Sequence, residues 1–229
     1  MQVRNLFLQY NLPHPLKFLE NPLSKTAFKT TVKKHVISYW ECQLRAEASA
    51  RSSLIFFHPE YLSLVHPHPI WMTAGSSPYQ VNMAMIQAKM LSGRYRTETT
   101  TSYWSKNPNG YCLLPSCSGL NTYEDLTHML TCCGSLDQAR SSLTSFTSAY
   151  TLATSLPILQ TIVDEYCSSL HPQFPQFLID CSCLSPVIAA AQLYGQDVLH
   201  HLFKITRTWC YVLHRERLKI LGRWRRPHH

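Results

Sequence analysis

Glycine is scarce in this chain, with 7 in 229 residues beside 14 prolines. A many-stranded β domain leans on glycine at its turns, so that class is disfavoured. No apolar run approaches the ~20 residues that a membrane-spanning helix needs, and no membrane partner is expected. The opening "MQVRNLFLQYNLP" has one Arg, and its short apolar patch is broken by Gln9 and Asn11. It does not make a secretory signal, so an intracellular protein, nuclear or cytoplasmic, is expected. Between Arg140 and Lys204 there is no Lys or Arg at all.

Hydrophobic residues make up 45% of the chain, enough to drive folding. Nine cysteines without a signal point to a reducing compartment, and an odd number cannot all pair. Charge is uneven within the net +8. Residues 1–140 carry thirteen Lys/Arg and eight Asp/Glu; residues 141–203 carry four acids alone; from Lys204 onward there are eight basic residues and one acid, Glu216. A basic end after an acidic stretch suggests a local contact with a polyanion.

Helical signals dominate. Ser24 is placed to cap a helix running to about Ser49, with Phe28, Val32, Val36, Tyr39 and Leu44 near one face and Lys25, Lys29 and Lys33 on another. Ser77-Pro78 starts a second helix that ends at Gly93. Thr97 caps a shorter one, and "NPNG" (107–110) is a turn. Helices are expected over Asp137–Tyr150, from Pro157 to about Leu170, and from Pro186 to about Leu221 with an interruption at Gly195. Asn11–Pro22 and "HPQFPQF" read as connectors, and 56–71 as irregular. The expected fold is mainly α, an irregular helical assembly with a small embedded zinc knuckle. Three segments are expected: 1–75, helical and Pro-rich; 76–150, a helix plus the knuckle; and 151–229, helical with a basic tail.

The knuckle rests on Cys112-x4-Cys117-x10-His128-x4-Cys133. Zinc takes four soft or borderline ligands at tetrahedral positions, usually as two short pairs. Pro115 favours a reversal between the first two cysteines. His128 and Cys133 are just over one helical turn apart, on a helix capped by Asn121 or Thr122. Cys132 competes with Cys133 for the fourth place. A C-x4-C spacing is not that of a thioredoxin-like redox pair. Cys181 and Cys183 have no His partner in place and are expected to pack a core.

The run "MLSGRYRTETTTSYWSKNPNGYCLLPSC…LTHMLTCC" closely resembles the segment downstream of the reverse transcriptase domain in non-LTR (LINE-type) retrotransposon polyproteins. The matching positions are Gly93-Arg94-Tyr95, Trp104-Ser105, Gly110, Cys112, Cys117, His128 and Cys133. The likeness extends to "SYWECQLRAEASARSSLIFFHPEYLSLVHPHPIW" before it and "FLIDCSCLSPVI…LFKITRTWCYVLHRERLKILGRW" after it. In such elements a Pro usually follows the last cysteine, and here Gly134 takes that place. The resemblance implies a remnant of a larger polyprotein that binds template RNA or target DNA beside the polymerase, with the upstream reverse transcriptase domain as a partner. No Tyr/Phe-x-Asp-Asp motif occurs, so no polymerase centre is expected.

Two surfaces are candidates for nucleic acid. On a helix over 198–221, Val198, Leu202, Ile205, Trp209, Val212, Leu213 and Ile220 form an apolar stripe. Lys204, Arg207, Arg215 and Lys219 gather elsewhere with Tyr211 among them, and Arg223, Arg225 and Arg226 follow around Trp224. Basic groups neutralise phosphates and an interleaved aromatic stacks on an unpaired base; the plain alternative is a solvated face of an amphipathic helix. The second surface is Arg94, Tyr95, Arg96, Tyr103, Trp104 and Lys106, with Trp104 expected to pack under the zinc loop. The expected function is a zinc-stabilised nucleic-acid-binding module that catalyses nothing itself. The alternatives are a restriction-like endonuclease remnant, for which Asp180 is the one offered acid, and a protein-interaction scaffold.

Overall fold

Serine and proline at the expected starts do nucleate helices in the computed structural model, which describes residues 2–103 and 107–224. The helices are α1 (Gln2–Gln9), α2 (Pro15–Glu20), α3 (Lys25–Ser49), α4 (Pro69–Met72), α5 (Pro78–Leu91), α6 (Glu98–Thr101), α7 (Leu126–Thr131), α8 (Asp137–Ala153), α9 (Pro157–Tyr166), α10 (Phe174–Ile179), α11 (Ser185–Tyr194) and α12 (Gln196–Trp224). Among the described residues there is no strand, only an antiparallel bridge between Tyr111 and Tyr123. The fold is mainly α. No helix among the described residues is long and apolar enough to cross a membrane.

Side-chain caps explain several boundaries. The hydroxyl of Ser24 accepts from the amide of Ala27, that of Ser77 from Gln80, and that of Thr97 from Thr100. Two expected connectors are helical instead. Pro15 and Pro175 each lie in the first turn of a short helix, where no N–H is required and the fixed φ suits the helix. Proline there is a start signal, although it reads as a breaker from sequence. Helix α9 stops at Tyr166, short of Leu170. The last helix is two, divided at Gly195, whose φ of +83° is a left-handed conformation that a side chain strains.

The chain forms two units: Met1–Ser52 with His58–His68, and Ser53–Phe57 with Pro69–His229. In the first, Ala48 is the one buried residue among those described. Edge-to-face aromatic contacts link its helices: Phe7 with Phe18, Phe18 with Phe28, and Tyr10 with Tyr39. Arg45 donates to the carbonyl of Leu62 at 2.8 Å and the Leu64 amide donates to Glu41 at 2.8 Å, fastening 58–68 to α3. Lys25, Lys29 and Lys33 are exposed, as their spacing implies.

The second unit holds the core and includes both 76–150 and 151–229. Helix α12 is its axis, packed by α5, α8, α10 and α11. Val198, Leu202, Ile205, Trp209 and Leu213 are buried along it. Trp209 meets Phe174 edge to face at 5.4 Å, and its indole N–H donates to the Thr147 hydroxyl at 2.8 Å. The Gln87 amide of α5 donates to the Leu178 carbonyl and to the Thr206 hydroxyl, joining α5, α10 and α12. Cys181 is fully buried and Cys183 partly so, near the Gln176 amide, which agrees with a packing role.

Candidate metal centre and basic surfaces

The turn at 107–110 is closed by the Gly110 amide donating to the Asn107 carbonyl. Gly110 has φ +67°, and a Cβ there would stand 3.0 Å from the Cα of Thr99, so glycine is required on both counts. The bridge then sets Cys112, whose amide donates to the Thr122 carbonyl at 2.7 Å. Pro115 opens a 3₁₀ turn, Pro115–Cys117, that reverses the chain and delivers the second thiol. Asp125, not Asn121 or Thr122, caps α7: its carboxylate accepts from the His128 amide at 2.7 Å. Asn121 instead occupies a left-handed turn (φ +52°), which Asn tolerates. Cys133 lies just past the end of α7, its amide donating to the His128 carbonyl at 2.9 Å. Gly134 begins the next 3₁₀ turn, where a Cβ would meet Ser116 at 3.2 Å.

Cys112, Cys117, His128 and Cys133 are all buried, and their ligand atoms lie within 4.8 Å of one another. The Cys112 and Cys133 sulfurs are 4.0 Å apart, the Cys117 and Cys133 sulfurs 3.7 Å, and Cys117 Sγ is 3.4 Å from His128 Nε2. These four groups could hold a metal ion. Cys132 stands apart: its thiol is exposed and touches the other ring nitrogen, His128 Nδ1, at 3.3 Å. Cys132 therefore stands outside the cluster in this arrangement. It contacts the outer edge of the His128 imidazole, where a partner fixes the tautomer.

The titration pattern suits a cation. The contact with the Cys133 thiol, against burial and with help from His128, holds the Cys112 thiol down at about 5. The Cys133 thiol is pushed up by that same contact and by burial, and Cys117 is pushed up by burial and the Cys112 charge. His128 is raised to about 8, chiefly by Cys112 against its burial. One thiolate thus suppresses the others, as like charges in a buried cluster must, and a dication would relieve that suppression.

Two flanking groups were not visible in the spacing. Arg140 donates to the carbonyls of Cys133 (2.6 Å) and Met129 (3.3 Å) at the end of α7, and pairs with Asp137. Glu124, between the bridge and α7, is buried and takes a two-pronged ion pair from Arg217 of α12 at 2.8 and 2.7 Å. Its carboxylate also accepts from the Glu98 amide. A single carboxylate therefore joins α6, the knuckle and α12.

The basic candidates separate by burial. Arg94, Arg96, Lys204, Arg215 and Lys219 are exposed. Lys204 lies over the Tyr150 ring at 4.8 Å, and Lys219 pairs with Glu216. Arg207 and Tyr211 are corrections. Arg207 is buried and donates to the Thr73 and Ile70 carbonyls and the Thr73 hydroxyl, closing the end of α4. Tyr211 is buried and packs edge to face on Tyr79 at 5.3 Å. Neither is free for a phosphate or a base, because α12 is buried over a wider arc than its apolar stripe. Tyr95 is likewise buried, whereas Tyr103 is exposed. Trp104, Lys106, Arg225 and Arg226, and the side chains of Arg223 and Trp224, lie outside the described residues.

Asp180 is buried and accepts from the amide and hydroxyl of Ser182, serving as a cap. Apart from the Cys/His cluster, no group of three or more His, Cys, Asp or Glu ligand atoms gathers among the described residues. No protein-family model matches the chain, and no curated protein or solved structure matches it either.

Proposed function

We propose that this chain is a zinc-stabilised nucleic-acid-binding module without catalysis of its own, related to the region downstream of the reverse transcriptase in LINE-type polyproteins. The observation that carries the reading is a buried Cys3His cluster in a unit that also exposes basic groups, Arg94 and Arg96 shortly before the knuckle in the chain and Lys204 and Arg215 along α12. Zinc is favoured by donor type and spacing. Zn–S bonds near 2.3 Å place tetrahedral sulfurs about 3.8 Å apart, and the sulfur separations of 3.7 and 4.0 Å bracket that edge. The ion would be held by Cys112, Cys117, His128 and Cys133, and its contribution is structural, since all four positions are taken by protein.

The test is RNA and DNA binding against salt. Because α12 is the core axis, point changes are needed rather than truncation. Lys204→Ala with Arg215→Ala should weaken binding and flatten the slope of log K against log salt by about 0.7–0.9 per lost phosphate contact. An unchanged slope and affinity overturns the reading.

A second reading, a protein-interaction scaffold, is favoured by the first unit. Leu6, Leu8, Leu16, Leu19, Leu23 and Trp40 are exposed there. An apolar surface of that kind suits a protein partner, such as an upstream domain of a parent polyprotein.

A further inference from the structure

Helix α5, the 94–96 segment and α12 border an open pocket of about 430 Å³. Four cationic side chains line it: Lys89, Arg94, Arg96 and Arg217. No carboxylate does. Arg217 is already balanced by Glu124. Lys89, Arg94 and Arg96 are exposed and make no ion pair among the described residues. Three unanswered positive charges therefore converge on one concavity. His214 adds none near neutral pH, because burial and the charges of Arg217 and Lys89 hold its pKa below the usual value. Like charges around a concave wall raise one another's energy and concentrate anions.

The remaining wall carries no charge and is mostly apolar. Ile86 and Leu218 line it, and Tyr95 is tied back by its hydroxyl 2.9 Å from His214 Nδ1. A basic rim on an apolar wall fits an amphipathic anion. Two guanidinium forks and an ammonium match the oxygens of a phosphate, and three positive charges suit a monoester, with its charge of about −1.5 to −2. A diester within a strand brings one charge and would run across a surface rather than end in a pocket.

We infer that this cavity is a phosphomonoester site that takes the terminal phosphate of a nucleotide or of a nucleic-acid strand, with the sugar against Ile86 and Leu218. The strand form of the ligand rests on the nucleic-acid reading above; the phosphate site does not.

The test uses the full chain with two probes: adenosine 5′-monophosphate, and one single-stranded oligonucleotide made with either a 5′-phosphate or a 5′-hydroxyl. The phosphorylated strand should bind at least fivefold more tightly, and the monophosphate should compete for that difference. Arg94→Ala with Arg96→Ala should erase the preference while leaving the far-UV spectrum unchanged, since both side chains are exposed; Lys29→Ala, at an exposed lysine of the first unit, should keep it. Arg94- and Arg96-dependent binding of the monophosphate without any strand binding would support the pocket and remove the nucleic-acid reading. Strand binding that ignores the terminal phosphate, with no saturable binding of the monophosphate, overturns the pocket and leaves that reading in place.

Discussion

Residues 107–136 and the helices around α12 belong to the same unit but are held by different forces. Around α12, apolar side chains such as Trp209, Phe174, Phe177 and Phe203 are fully buried. Their stability comes from area removed from water and from close packing. The knuckle has one short helix, two 3₁₀ turns and a single bridge, with the thiols of Cys112, Cys117 and Cys133 and the His128 imidazole buried. A segment with so little regular structure relies on its buried Cys/His cluster and on neighbours such as Arg140 and Arg217. Regular helices can be stabilised by an apolar face alone; irregular backbone needs specific bonds at fixed points.

The largest expected effect isolates the knuckle. Chelating the proposed zinc should remove on the order of 10 kcal/mol from that segment. Amide exchange should speed up across 107–136 while Leu202, Ile205 and Trp209 stay protected. Cys133→Ser should abolish metal content and Cys132→Ser should keep it near one ion per chain. Loss of metal in Cys132→Ser alone would reassign the fourth ligand.

The mirror experiment strikes the helical core. Trp209→Ala removes a side chain that is 2% exposed, along with the bond to Thr147. It should cost about 3–5 kcal/mol of global stability by denaturant titration. Metal bound per folded chain should not change. If the metal is lost in step with unfolding at low denaturant, the two regions are less separate than their bonding suggests.

Glu124→Gln tests the link between them. It leaves the Arg217 guanidinium buried without its counter-charge, at a cost of about 3–5 kcal/mol. Both the urea midpoint and the metal affinity should fall, because the same carboxylate holds α6 and the start of α7. An unchanged metal affinity would confine its role to α12.

The smallest effect is on pH. Burial, Arg217 and Lys89 depress the pKa of folded His214, whereas unfolded His titrates near 6.5. Above that pH both forms are neutral and stability is full. Below it the unfolded chain takes the proton first, so stability falls with pH. For a half-buried ring the loss between pH 7.5 and 5.5 is at most about 1 kcal/mol after solvent screening. His214→Gln should shrink the change in urea midpoint over that range, and an unaltered change would remove His214 as its source.

Local chemistry made much of this legible. Ser24, Ser77 and Thr97 mark helix starts because a side-chain oxygen satisfies a free amide without help from the rest of the chain. The ligand spacing was equally local, since Cys112, Cys117, His128 and Cys133 lie within one short stretch. Pro15 and Pro175 were ambiguous for the same reason: one ring either ends a helix or begins one, and only packing decides, the burial of Phe174 and Phe177 at Pro175 and the contacts of Phe18 with Phe7 and Phe28 at Pro15.

What the amino-acid order determined by itself was the mainly helical class, most of the caps and the metal-type cluster, all of which depend on neighbours a few residues away. Tertiary structure alone decided which basic groups are free. Arg207 and Arg94 are indistinguishable in composition, yet Arg207 is buried against the carbonyls of α4 and Arg94 opens onto the cavity. It also decided that Glu124 and Arg217, 93 residues apart, share one buried bond. The physical reason is that a charge is assigned to solvent, to a partner or to a ligand by what packs beside it, and that depends on contacts far apart along the chain.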